Sequence, residues 1–102
     1  MSAHLLILYP TPPNAEKFDR DYRELHLPYG APRLKAAGAT NVTTRRIVGP
    51  QGVAFHMMSD VTFPSIDVLK AAAASVGGQE ALANSASIST GGKPVVLAVA
   101  DD

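Results

Sequence analysis

The sequence contains no cysteine. That excludes a disulfide framework and a thiolate metal site, and permits a reducing compartment. An excess of one charge is also missing. Nine acidic residues balance nine basic ones for a formal net charge of zero, which argues against a nucleic-acid groove or an anionic membrane surface as partner. A protein or a small molecule is the expected partner. Long hydrophobic runs are absent as well. The N-terminal run Leu5-Leu6-Ile7-Leu8 is four residues long with no basic segment before it, so neither a secretory signal nor a membrane span is expected. A cytoplasmic location is the default. The glycine pairs Gly77-Gly78 and Gly91-Gly92 lack the neighbours of a phosphate-binding loop. The histidines His4, His26 and His56 fall on three separate elements without ligand spacing, so no metal site is expected.

The 102 residues suffice for one domain, residues 1–102, with a core of its own. Leu5 to Tyr9, stopped by Pro10 and followed by Pro12-Pro13, reads as a buried strand. Asn14 caps a helix whose apolar stripe is Ala15, Phe18, Tyr22 and Leu25, with Glu16 in its first turn. Pro28 should end that helix near Leu27. A further helical turn at Pro32 to Ala37 is closed by Gly38 in a left-handed cap. Thr40 to Val48 and Val53 to Phe63 read as a hairpin about the turn Gly49-Pro-Gln-Gly52. Ser65 caps a second helix that Gly77-Gly78 should stop, with a short turn at Gln79 to Asn84 and a loop from Ser85 to Gly92. Val95 to Ala100 supplies a last strand. Strand, helix, strand, strand, helix, strand is the ferredoxin-like α+β order.

An antiparallel sheet with helices on one side and water on the other should alternate apolar and polar residues. The first and last strands do not alternate, so the second face is expected to be covered. A second copy of the chain is the simplest cover, which predicts a sheet-to-sheet homodimer. The mixed strand Asn41, Thr43, Arg45, Arg46 suits an edge. In the third strand Phe55, Met57, Val61 and Phe63 share the core face. His56, Met58, Asp60 and Thr62 share the other, where His56 and Asp60 would form an interface network or line a wet cavity.

The densest signal lies between residues 18 and 29. Phe18, Tyr22 and His26 are four residues apart, a step of only about 40° around a helix, so they share one face. Together with the Leu-Tyr-Pro of the first strand, the segment Phe18-x-x-x-Tyr22-x-x-x-His26-Leu-Pro28, the hairpin and the alanine-rich second helix resemble the EthD family of dimeric α+β barrel proteins. The resemblance implies a ferredoxin-like protomer whose sheet pairs with that of a partner. The name-giving member is encoded beside a cytochrome monooxygenase system for ethyl tert-butyl ether degradation. Related barrels act as monooxygenases, cyclases, decarboxylases, isomerases or dehydratases, often without a cofactor.

The expected function is therefore that of an EthD-like protein of small-molecule catabolism or secondary metabolism, taking a small organic substrate between the sheet and the first helix without a cofactor. His26 is the expected acid/base group and Tyr22 its assistant. Tyr9, Phe18 and Tyr29 are the expected substrate-binding residues. The reaction class stays open among oxidoreductase, isomerase and lyase. The rival for His26 is a helix-end histidine bonded to a nearby carbonyl, and the rival for the chain is a non-catalytic accessory or binding protein serving a partner oxygenase system. Arg45 and Arg46 put one cation on each strand face, so at most one could greet an anionic substrate, and both read first as surface charge.

Overall fold

The computed structural model describes residues 1–101. Strand β1 (Ala3–Pro10) leads into α1 (Ala15–Asp21), a π-helical turn (Tyr22–His26) and α2 (Leu27–Ala36), all one continuous helical arm. The hairpin strands β2 (Asn41–Arg46) and β3 (Phe55–Phe63) follow, then α3 (Ile66–Ala74), α4 (Val76–Ile88) and β4 (Val95–Ala100). The strands form one antiparallel sheet in the order β2-β3-β1-β4. This is the expected ferredoxin-like α+β topology, with β2 on an edge.

The caps fall where side-chain chemistry put them. Asn14 accepts a bond from the Lys17 amide at 3.0 Å, and Ser65 accepts one from the Val68 amide at 3.2 Å, each satisfying a donor that the first helical turn leaves free. Gly38 closes α2 with φ at +120°, a conformation open to a residue without a Cβ.

Two helix boundaries differ from expectation. Pro28 does not end the first helix, which continues to Ala36 with Pro32 in its interior. The π-helical turn precedes Pro28, the Leu27 amide reaching back five residues to the Tyr22 carbonyl. A proline ring clashes with the carbonyl four residues before it in a regular helix, and a turn holding one extra residue gives that ring room. The extra residue also rotates the surface. His26 stays buried beneath Tyr22, whereas Leu25, expected on the core stripe, is 59% exposed, and Ala15 is exposed too.

The second difference is at Gly77-Gly78, which do not stop a helix but lie in the first turn of α4. The break comes earlier, at Ser75, whose backbone is extended (ψ 159°) and whose hydroxyl caps the Gly78 amide. Gly78 is needed because a Cβ there would sit 1.9 Å from the Ala72 carbonyl oxygen. Residues expected as a short turn and a loop are thus one helix of 13 residues. Its buried positions Gly78, Ala81, Ser85 and Ile88 recur at helical spacing.

The helices cover one sheet face and divide the core into two clusters. Ala3, Leu5, Leu34, Val61, Phe63, Leu69, Ala72 and Ala81 make an aliphatic half. Ile7, Tyr9, Phe18, Tyr22, Met57 and Ile88 make an aromatic half. Along β3 the buried residues are Met57, Ser59, Val61 and Phe63, which matches the expected face. His56 does not follow the alternation. A register shift between Tyr9 and Pro10 turns its imidazole to the helix side, where it packs edge-on to Phe18 at 5.6 Å and meets Asp19 at 2.8 Å. A bulge re-aims the side chain beside it in this way. Asp60 remains on the outer face, paired with His4 at 2.8 Å; the Arg45 guanidinium lies 3.6 Å away.

The outer face carries Leu6 opposite Leu97 and Leu8 flanked by Met58 and Val95. Val95, Leu97 and Val99 are all exposed in the single chain. No helix is long and apolar enough to cross a membrane among the described residues.

Candidate functional site

Between the first helical arm and the β2 edge lies an open cleft of about 310 Å³ lined by Tyr22, Arg23, Leu27, Thr44, Arg46 and Met57. The β2–β3 register opposes Thr44 to Ser59 and Arg46 to Met57, and side chains at paired positions stand on the same sheet face. Thr44 and Arg46 therefore face the helix although they lie on an edge strand. The π-helical turn brings Tyr22 to the same wall. Its hydroxyl sits 2.7 Å from Thr44 Oγ1 and 2.7 Å from Ser59 Oγ, a three-hydroxyl chain running from the cleft into the core.

His26 lies behind this wall, off the cleft and 4% exposed. Its ring is 5.5 Å from that of Tyr22 and 6.4 Å from that of Tyr9. Nδ1 meets Asn84 Oδ1 at 2.7 Å and Nε2 meets Ser85 Oγ at 3.2 Å. Since the Asn84 carbonyl can only accept, Nδ1 carries the proton and Nε2 is left as an acceptor, sharing the single Ser85 hydroxyl proton with the Ala81 carbonyl at 3.1 Å. Burial depresses the pKa of His26 below that of a free histidine, and the Asn84 bond offsets this in part. The ring is neutral near pH 7. Gly30, one turn on, leaves space for it, because a Cβ there would approach His26 Cε1 to 3.0 Å. The succession Ser85, His26, Asn84 has the order of a hydroxyl nucleophile with its base and orienting group. Ser85 is only 1% exposed, so no substrate reaches it.

Tyr9 and Phe18 are packed behind Tyr22, with ring centroids 5.2 Å apart and Tyr9 edge-on to Tyr22 at 5.7 Å. The Tyr9 hydroxyl is fully buried and lacks a hydrogen-bond partner among the described residues. Burial pushes its pKa up to about 12, although the Ser85 and Ser59 hydroxyls are near enough to ease its ionisation slightly. Tyr29 is elsewhere: Arg33 stacks 3.6 Å above its ring, on the side of α2 that faces Glu80 of α4. Of the five residues expected at the site, Tyr22 lines the cleft, His26, Tyr9 and Phe18 form the layer behind it, and Tyr29 stands apart.

Arg46 is anchored by Asp19, its Nη2 lying 3.2 Å from Asp19 Oδ2 while His56 holds the other carboxylate oxygen. Burial alone would raise the Asp19 pKa, but hydrogen bonds from His56 and Arg46 together outweigh it and hold the carboxyl below its usual value. Reading the sequence missed Thr44, Arg46, Arg23 and Leu27 as cleft residues, and Asn84 and Ser85 as partners of His26. The signal for Arg46 was present, since it shares the parity of the inward-facing Val42 and Thr44. Asn84 and Ser85 carried none while that stretch read as a turn running into a loop.

No protein-family model and no curated protein matches the chain. Solved structures do. An EthD family protein of Bacillus halodurans is 21% identical, with all of both chains aligned and a TM-score of 0.82. An EthD-like protein of Ralstonia eutropha is 24% identical over 95% of this chain and 88% of its own, with a TM-score of 0.68. A dimeric ferredoxin-like protein of unknown function from Bacteroides fragilis is 13% identical over 95% and 92%, with a TM-score of 0.64. The chain thus has the fold of the EthD-like proteins, a ferredoxin-like α+β architecture matched from end to end.

Proposed function

We propose that this protein binds a small organic molecule in the cleft between the first helical arm and the β2 edge, with the exposed Thr44 and Arg46 as its polar contacts and the buried Tyr22 hydroxyl behind Thr44, and that two copies pair through their outer sheet faces. The carrying observation is the cleft itself: a concavity with apolar walls at Leu27 and Met57 and convergent polar groups at Tyr22, Thr44 and Arg46, the composition of a ligand site. In the catalytic form of this reading, a proton passes between the ligand and the Tyr22 hydroxyl by way of the Thr44 hydroxyl, without a cofactor. His26 packs against the Tyr22 ring and holds it in place rather than touching the ligand.

A non-catalytic binding role, including service to a partner oxygenase, is the second reading. One observation favours it. Both ring nitrogens of His26 are engaged by Asn84 and Ser85, and a general base must reach the proton that it takes.

Native mass spectrometry of freshly purified protein tests the cleft. A co-purifying small molecule should be carried by the wild type and lost from Thr44→Trp, where an indole at an exposed strand position fills the space. Equal loading of both proteins would remove the cleft as the site. For pairing, the apolar stripe Leu6, Leu8, Met58, Val95, Leu97 and Val99 is the expected contact, and an exposed patch of this kind marks an interaction surface. Sedimentation should give a dimer for the wild type and a monomer for Leu97→Asp. A wild-type monomer at micromolar concentration would sink the pairing.

A further inference from the structure

The cleft holds two guanidinium groups, Arg23 from the helical arm and Arg46 from β2, on opposite walls. Arg46 is matched by Asp19. Arg23 has no carboxylate within 4.0 Å among the described residues, since Asp21 is taken by Lys17 at 2.7 Å and neighbours Arg20, while Glu80 lies near Arg33. One positive charge is therefore left over in the cleft.

Arg46 is also more than neutralised charge. Its pair with Asp19 uses one nitrogen of the guanidinium, and Asp19 is itself tied to His56, so the fork is tethered at one end with further N–H groups to donate. A planar guanidinium suits a planar, two-oxygen acceptor better than a point charge does. The hydroxyl chain adds a donor. When Ser59 donates to Tyr22 and Tyr22 donates to Thr44, the exposed Thr44 hydroxyl keeps its own proton free for the cleft.

Resting on the reading of the cleft as a ligand site, we propose that its ligand is a small organic monoanion, a carboxylic acid or an acidic enol. Its charged oxygens lie between Arg23 and Arg46, and its apolar body rests on Leu27 and Met57. The cleft volume is at the small end of ligand pockets, which run from about 300 to 1,000 Å³, so a body of about one ring fits. A cationic ligand meets the leftover positive charge, and a neutral isostere gains nothing from it. Specificity for the anion is a difference between these affinities.

Amide chemical-shift titration of isotopically labelled protein with benzoate, its planar neutral isostere benzamide, and the one-ring cation benzylammonium decides the matter. Benzoate should shift the amides of Tyr22, Arg23, Thr44 and Arg46 saturably, and benzamide should bind about ten-fold more weakly or worse, as should benzoate itself to Arg23→Gln. Arg23 is exposed, so that variant keeps the fold, which its unshifted core amides would verify. Equal binding of benzoate and benzamide, preference for benzylammonium, or an unchanged affinity in Arg23→Gln would overturn the anion while leaving the cleft a binding site. Failure of all three probes to shift any cleft amide at about 10 mM, where even a millimolar ligand saturates, would overturn the cleft and the anion together.

Discussion

The two halves of the core lie on the same face of the sheet and are built to opposite rules. The aliphatic half, from Ala3 and Leu5 through Val61 and Phe63 to Leu69 and Ala72, buries side chains that need nothing but contact. The aromatic half buries Tyr9, Tyr22, His26, Ser59 and Ser85 within a few ångströms of each other. Every one of those polar groups loses water on folding and must recover hydrogen bonds from its neighbours. A chain that needed only stability would fill both halves with leucine and phenylalanine. The buried polar groups are concentrated where the helical arm widens into a π turn and where the cleft opens.

The contrast is broken most severely from the aliphatic side. Phe63 is fully buried, and Phe63→Ala should cost about 3–5 kcal/mol, seen as a large drop in the denaturation midpoint at constant slope. The cleft should keep its affinity in whatever fraction of the variant remains folded. A loss of less than about 1 kcal/mol would mean that this half is not the stabilising one.

How far this division can be read from sequence follows from what each half rests on. Strand parity needs only the period of two, so the inward set Met57, Val61 and Phe63 was legible, as were the caps Asn14, Ser65 and Gly38, whose side chains or φ act locally. The aromatic half depends on exceptions to local rules. Pro28 announces a helix end, yet the packing of Phe18, Tyr22 and His26 carries the helix past it through a wider turn, and that turn moves Leu25 into solvent. His56 breaks strand parity at a bulge set by the β1 partner. Asn84 and Ser85 lie almost sixty residues from the histidine that they contact. Contacts of that range leave no periodic trace, so the candidate imidazole could be read from the chain but its seclusion from the cleft could not.

A milder way to sharpen the contrast is pH. The folded-state pKa of His26 is lowered by burial, so the unfolded chain takes up a proton from about pH 6.5 downward while the native ring still refuses it. Stability contributed by the neutral ring is complete above that pH, falls as pH drops through the window below it, and levels off once the native ring is also protonated. His4, on the outer face, runs the other way. Its hydrogen bond to Asp60 outweighs desolvation and raises its pKa, so its contribution is present at low pH and lost as pH rises. The two oppose each other in the wild type. Chemical denaturation of wild type and His26→Leu at pH 7 and pH 5 separates them: the variant should lose less stability on acidification. An identical pH dependence in both proteins would show that the protonation penalty at His26 is absent and that the ring is not held neutral.

The smallest effect falls on the most deeply buried polar atom. Tyr9 is fully buried and its hydroxyl has no partner among the described residues. An unmade hydrogen bond in the interior costs about 1–3 kcal/mol, so removing the oxygen removes the penalty along with the group. Tyr9→Phe should leave stability within about 0.5 kcal/mol of the wild type or raise it, the relief of desolvation being set against a void of a single oxygen atom. The ring contacts with Phe18 and Tyr22 survive the change, so packing gives no reason for loss. The same substitution at Tyr22 removes two hydrogen bonds of 2.7 Å and strands the buried Ser59 hydroxyl, so it should be clearly destabilising. Two tyrosines with adjacent rings thus make an internal control. If Tyr9→Phe proves as costly as Tyr22→Phe, the Tyr9 hydroxyl belongs to the hydrogen-bonded chain that links the cleft to Ser85 and His26; if it is silent, that chain ends at Ser59 and the imidazole is isolated from the cleft.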